Sequence, residues 1–252
     1  MDVVVCIKRV PATDTRVKVA ASGRSIDPAG VQFELNPYDE FAVEEALRIK
    51  EKTGGGTVTV IALGPAEAQK ELRNELARGA DKAVLLRDDK ADERDAFSIA
   101  TALAEQIRKI PCQVAMMGKQ AVDRDNGHVG TMVATMLGWS CVNEVVKVEI
   151  SGDTARCERE VEGGAREVVE AKLPAVLTAQ KGLNEPRYVK LPGIMAAKKK
   201  PLEEVAAPAV PSKLAILEMH LPAARQAGRF VGKGKESVGD LLGRLRNEAK
   251  VL

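Results

Sequence analysis

Aromatic residues are scarce, at 3% of 252 positions: one tryptophan, two tyrosines and four phenylalanines. So few rings leave no stacking platform for single-stranded nucleic acid. An excess of one charge is also lacking. Thirty-eight basic and 36 acidic residues give a formal charge of +2, too little for a field that holds a polyanion. Nucleic acid is therefore not an expected partner. The four cysteines, Cys6, Cys112, Cys141 and Cys157, contain no C-x-x-C pair, so they read as small buried apolar residues and not as zinc ligands or a redox dithiol. There are two histidines, His128 and His220, and no H-E-x-x-H, G-x-S-x-G or Walker lysine loop, which disfavours a hydrolase or a kinase. No apolar run reaches the roughly 18 residues of a membrane span. The start, MDVVVCIKRV, lacks the plan of a signal peptide. The expected setting is the cytoplasm or an equivalent reducing compartment, without direct membrane insertion.

What is present is ordinary globular material, 45% hydrophobic and 29% charged, long enough to bury roughly 75% of its extended-state surface. Residues 2–7 (DVVVCI) are a short apolar run, as in a strand buried on both faces. A helix follows in NPYDEFAVEEALRIKE, with Asn36 as N-cap, Pro37 at the first helical position and Asp39 and Glu40 in the first turn. The glycines at 54–56 end that helix; a phosphate loop would follow a strand, and these precede one. Strands at 57–63, 83–87 and 112–117 then alternate with helices carrying Leu72 and Leu76, then Ile99 and Leu103, then Met132 and Met136. This alternation predicts an α/β fold with a mostly parallel, doubly wound sheet. Beyond it, EVVKVEI, TARCEREVE and AREVVEAKL, joined by Ser-Gly-Asp and Gly-Gly turns, predict an antiparallel meander, and 174–179 one more strand. The domain reading is 1–180 for the α/β domain with its meander, 181–201 for a loop, and 202–252 for a linker and C-terminal amphipathic arm. In that arm Ser237 and Asp240 stand in capping-box positions before Leu241, Leu242 and Leu245.

Ligands of open α/β sheets bind past the carboxyl ends of strands, near the point where strand order reverses. Three segments meet that description: Cys6 to Arg9, Leu63 to Pro65, and Gly118 to Gly130. In the third, Gly118, Gly127 and Gly130 permit close backbone approach, and the following helix offers free N–H groups. This is the chemistry of a phosphate or nucleotide cradle, with Asp123 and Asp125 suited to ribose hydroxyls and His128 to a phosphate. A well-capped loop with solvated charges is the alternative on the residues alone.

Four segments together resemble the beta subunits of electron transfer flavoproteins: CIKRVP at 6–11, NPYDEFAVEEALRIKE at 36–51, GKQAVDRD at 118–125, and the stretch from REVEGGAREVVEAKLPAVLT through LNEPRY to LPGIMAAKKKP. The resemblance runs through essentially the whole chain. It implies an adenine-nucleotide alpha hydrolase-like fold and a heterodimer with a larger alpha subunit that holds most of the FAD. It also implies AMP bound by the beta subunit, and passage of electrons from flavin dehydrogenases, such as acyl-CoA dehydrogenases, to a quinone oxidoreductase. By motif, the AMP contacts fall on Cys6, Asn36, Pro37, Tyr38, Asp39, Leu63, Gly118, Lys119, Gln120, Ala121, Val122, Asp123, Arg124, Asp125, Asn126, Gly127, His128 and Val129. Leu191 corresponds to the apolar anchor of the dehydrogenase-recognition loop. Glu160 corresponds to an acidic residue that pairs with the alpha subunit, and Lys198 to Lys200 are candidates for steering acidic partners.

Two departures bear on this. Many members have D-D-D-x-N-Q-T-G where this chain has DRDNGHVG, and Thr13 stands where some have a tyrosine against the flavin. A branch of the family binds a second FAD in place of AMP and bifurcates electrons, and its loop also tends to carry Val-Gly at 129–130. AMP is the expected ligand here and a second FAD the alternative. The chain is expected to be an electron-carrier subunit with no catalytic chemistry of its own. A stand-alone AMP-sensing binding protein is the competing class; it would need neither meander nor arm.

Overall fold

The computed structural model describes residues 1–224 and 227–252. The arm read as 202–252 thus includes residues 225 and 226, which lie outside the described residues. In chain order the elements are β1 (Val3–Ile7), β2 (Arg9–Pro11), β3 (Phe33–Leu35), α1 (Pro37–Lys52), β4 (Val58–Gly64), α2 (Gln69–Arg78), β5 (Lys82–Arg87), α3 (Ala96–Ile107), β6 (Val114–Gly118) and α4 (Val129–Leu137). Then come β7 (Ser140–Ser151), β8 (Thr154–Glu160), β9 (Arg166–Lys172), β10 (Ala175–Ala179), α5 (Leu191–Ala197), β11 (Leu202–Ala206) and α6 (Val238–Asn247).

Nine strands form one sheet in the order β11-β5-β4-β1-β6-β10-β7-β8-β9, and β2 pairs with β3 in a separate antiparallel ribbon. Every pair from β11 to β7 is parallel, and β7-β8-β9 is the antiparallel meander. Strand order reverses at β1, with β4 on one side and β6 on the other. All five residues of β1, β6 and β10 are buried, which their apolar sequences allow because helices cover both faces. Val3, Val5 and Ile7 share one core with Ala42, Ala46, Leu72 and Leu76 from α1 and α2. Val4 and Cys6 share the other with Leu103, Ile107, Val133 and Ala134 from α3 and α4. Each large apolar side chain so buried contributes about 1.5–3 kcal/mol. Cys6 and Cys157 are buried, Cys112 and Cys141 half-buried.

Several expectations are corrected. Residues 202–206 do not begin a linker; they are an edge strand paired with β5, in parallel register from Leu202–Ala83 to Ala206–Arg87. The acidic pair Glu203-Glu204 disguises it, since an edge strand keeps exposed charge. The loop 181–201 contains helix α5, which packs on α2: Gly193 lies so close that a Cβ there would stand 2.3 Å from the carbonyl oxygen of Ala77. Lys200 is not free to steer partners. Its Nζ donates to the carbonyls of Leu76 (2.9 Å) and Ala80 (2.6 Å) at the C-terminal end of α2.

The chain divides into two compact units, residues 1–219 and 220–252. In the second, α6 exposes Val238, Leu241 and Leu242. The capping box is not formed: the Ser237 hydroxyl donates back to the Gly234 carbonyl at 2.9 Å, because Ser237 already has helical backbone angles at the end of a 3-10 turn.

Candidate functional site

The loops leaving β1 and β6 part at the reversal point, and two side chains from the start of α1 tie them together. Asp39 accepts from the Lys8 N–H (2.7 Å) through Oδ2 and from the Gly118 N–H (2.8 Å) through Oδ1. Burial pushes its carboxyl up to about 7, and the two backbone donors with Asn36 and Lys8 pull the other way. Asn36 occupies the N-cap position without capping the helix. Its Nδ2 donates to the Gln120 carbonyl (2.9 Å) and its Oδ1 accepts from the Val122 N–H (3.1 Å), so it holds the loop after β6. Gly118 has no room for a side chain: a Cβ would lie 2.5 Å from the Tyr38 Cβ and 2.6 Å from Asp39 Oδ1. At Gly130 a Cβ would lie 2.5 Å from the Thr178 Cγ2, which seats the first turn of α4 against β10.

Above these ties lies a cleft of about 150 Å³. Apolar side chains of Leu63, Ile99, Leu103 and Met117 line one part, and the segment 118–121 with 126–130 lines another. The N-terminus of α4 opens into it, and His128 at the N-cap makes no side-chain cap. The arrangement suits a ligand with a flat apolar moiety and an anionic end, received by backbone N–H groups.

Of the eighteen residues predicted to hold nucleotide, thirteen line this cleft: Cys6, Asn36, Asp39, Leu63, Gly118, Lys119, Gln120, Ala121, Arg124, Asn126, Gly127, His128 and Val129. Pro37, Tyr38, Val122, Asp123 and Asp125 stand behind the lining. Asp123 pairs with Lys8 Nζ at 2.5 Å, and Asp125, at φ 51°, accepts from Gln120 Nε2 at 2.8 Å, so both are engaged with protein in this arrangement. Sequence reasoning picked out Arg9 with the loop after β1 but missed Phe33, Ile99, Leu103 and the turn from Ala91 to Ala96. That turn follows β5, and the strand-end rule that picked the loops after β1, β4 and β6 applies to it equally.

Two further predicted residues lie elsewhere. Glu160 accepts from Gln180 Nε2 at 3.1 Å. Leu191 is 74% exposed at the start of α5, beside exposed Tyr188 and Met195. The segment that carries it is clamped by Arg187, whose Nε donates to Glu44 (2.8 Å) and Nη1 to Glu51 (2.6 Å). Glu44, Glu45, Glu71 and Glu75 are buried on α1 and α2. Burial pushes Glu75 up to about 7 despite Arg78 at 3.0 Å.

A doubly wound sheet with a glycine-walled cleft at its reversal point belongs to the class of α/β protein that receives ligands past its strand ends. Residues 24–210 match the electron transfer flavoprotein domain. The protein called electron transfer flavoprotein subunit beta in Bacillus subtilis is 41% identical, with all of both chains covered. That of Bradyrhizobium diazoefficiens is 39% identical, again over all of both chains. That of Homo sapiens is 36% identical, over 99% of this chain and 98% of the relative. The chain belongs to the electron transfer flavoprotein family, among its beta subunits. No described helix is long and apolar enough to cross a membrane.

Proposed function

We propose that this chain is the beta half of a heterodimeric electron carrier. It binds AMP in the cleft at the sheet's reversal point and supports an FAD held mainly by an alpha subunit. The observation that carries the nucleotide reading is the cleft itself: apolar side chains on one part, backbone N–H groups of an uncapped helix start on another, and no space for a Cβ at Gly118 or Gly130. The donor set fits a mononucleotide, with the base against Leu63, Ile99 and Met117 and the phosphate toward residues 127–130. Flavin supplies the redox chemistry in such a pair, and protein contributes orientation and electrostatics. Within this chain, Asp39 and Asn36 fix the two loops that face the ligand, and Lys8 neutralises Asp123 beside them.

On this reading the chain is a carrier subunit and not an enzyme. Electrons arrive from flavin dehydrogenases, acyl-CoA dehydrogenases among them, and leave to a quinone oxidoreductase. Leu191, Tyr188 and Met195 form the exposed corner that meets a dehydrogenase: an apolar plug on a helix already ordered by Arg187 costs little entropy to dock. Glu160 faces the alpha subunit. The test is nucleotide content. The chain is co-expressed with its alpha subunit, the complex is denatured, and FAD and AMP are counted per heterodimer. One of each is expected. Two FAD and no AMP would move the protein to the bifurcating branch, and a complex without flavin would overturn electron transfer.

A further inference from the structure

Among the described residues, Arg124 is the only side chain of the segment 118–130 that hydrogen-bonds to the far wall of the cleft. It stands on the loop after β6, and its fork ends on the turn after β5: Nη1 donates to the carbonyl of Arg94 at 2.9 Å and Nη2 to that of Asp92. Between β5 and β6 in the sheet lie β4 and β1. Three strand spacings of about 4.8 Å separate the two anchoring strands, roughly 14 Å across. The link therefore crosses above the carboxyl ends of β1 and β4, where the cleft opens. Arg124, Ala91 and Asp92 all line it.

Both ends of the link are braced. On the near side Asn36 holds Gln120 and Val122, and the Asp125 N–H closes a turn on the Ala121 carbonyl at 2.9 Å. On the far side Arg94 pairs with Asp88 at 2.5 Å and donates to the Pro208 carbonyl at 2.9 Å, while the Asp88 N–H bonds to the Gly64 carbonyl. With neither wall free to swing, passage through the cleft mouth depends on the two bonds that Arg124 makes.

We propose that Arg124 is a latch that closes the cleft over its nucleotide and sets how fast the nucleotide leaves, acting through the carbonyls of Asp92 and Arg94 and not by pairing with phosphate. The latch rests on the nucleotide reading above. It makes a chemical distinction: two carbonyls on different residues need the planar guanidinium fork, whereas a phosphate can also be held by lysine as a point charge.

The experiment uses the complex with the alpha subunit, loaded with radiolabelled AMP and chased with excess unlabelled AMP. Arg124→Ala and Arg124→Lys are compared with the parent chain. Losing bonds that carry charge on one partner is expected to speed release about ten- to a hundredfold in both variants, with melting of the nucleotide-free complexes unchanged. Release from Arg124→Lys at the parent rate overturns the latch, because charge alone then suffices. Release from both variants at the parent rate overturns it equally. A fall in melting temperature that tracks the faster release assigns Arg124 a merely structural role and also overturns it. A parent complex that takes up no AMP and carries no second flavin fails at the nucleotide reading, before any variant is compared. If flavin occupies the cleft, the same comparison is made on released flavin.

Discussion

Replacing Arg187 by alanine should free the segment that carries Leu191 while leaving the sheet intact. Arg187 makes two bonds to Glu44, from Nε at 2.8 Å and Nη2 at 3.2 Å, and two to Glu51, from Nη1 at 2.6 Å and Nη2 at 3.2 Å. The Glu51 side chain is 57% exposed, so its share is small. The Glu44 side chain is 3% exposed and in the alanine variant keeps Arg48, at 2.8 Å, and the backbone N–H of residue 187, at 3.1 Å. One buried bidentate pair, discounted for the remaining partners, amounts to about 2–3 kcal/mol, or roughly 30- to 150-fold in the opening equilibrium. Hydrogen exchange of the amides in 188–197 should accelerate by that factor, with those of β1 and β6 unchanged. Burial pushes the Glu44 carboxyl up, but hydrogen bonds from Arg187 and Arg48 outweigh it and leave it below the ordinary carboxylate range. A folded value below the unfolded one means that the clamp contributes above about pH 4.3 and is lost as pH falls through the folded value. After correction for intrinsic rates, parent and variant should therefore converge in acid. Acceleration under threefold at neutral pH, or acceleration spread over the whole sheet, would refute the reasoning.

Gly118→Ala places a methyl 2.5 Å from the Tyr38 Cβ and should cost about 1–3 kcal/mol in denaturant unfolding, with loss of bound nucleotide. Lys200→Met leaves the Leu76 and Ala80 carbonyls without their ammonium donor. A loss of about 1–3 kcal/mol is expected in the same assay, whereas an unchanged midpoint would mean water replaces the lysine.

Much of the fold was legible because its signals are local and repeated. The apolar runs of β1, β4, β6 and β10 admit only buried strands at these lengths, and the glycine turns announce the meander. β11 was missed because Glu203 and Glu204 look like linker, and its partners on β5 lie 119 residues away in sequence, as in Leu202–Ala83. The site was legible where topology decides it, at strand ends. From the residues alone Asn36 and Asp39 read as local helix-start residues, and only the family resemblance put them at the site, because sequence shows what precedes and follows a side chain and not what crosses over it. The same blindness applies to Glu44, whose charge suggests solvent and whose buried partner Arg187 lies 143 residues away; Arg78 stands at i+3 from Glu75 on α2, so that pairing follows from helix spacing and only its burial does not.

The sheet has two edges, and they are protected differently. At one, β9 reads REVVEAK and carries exposed charge along its length. At the other, β11 covers β5, whose sequence KAVLLR contains four consecutive buried apolar residues. A chain ended at residue 201 would keep every element of the cleft yet present that strand bare, a short, nearly uncharged template of the kind that recruits further strands. Shortened versions of this protein that stop before Leu202 should therefore self-associate in proportion to concentration, and those that run past Ala206 should not. The five residues that pass for linker thus also act as a guard against aggregation.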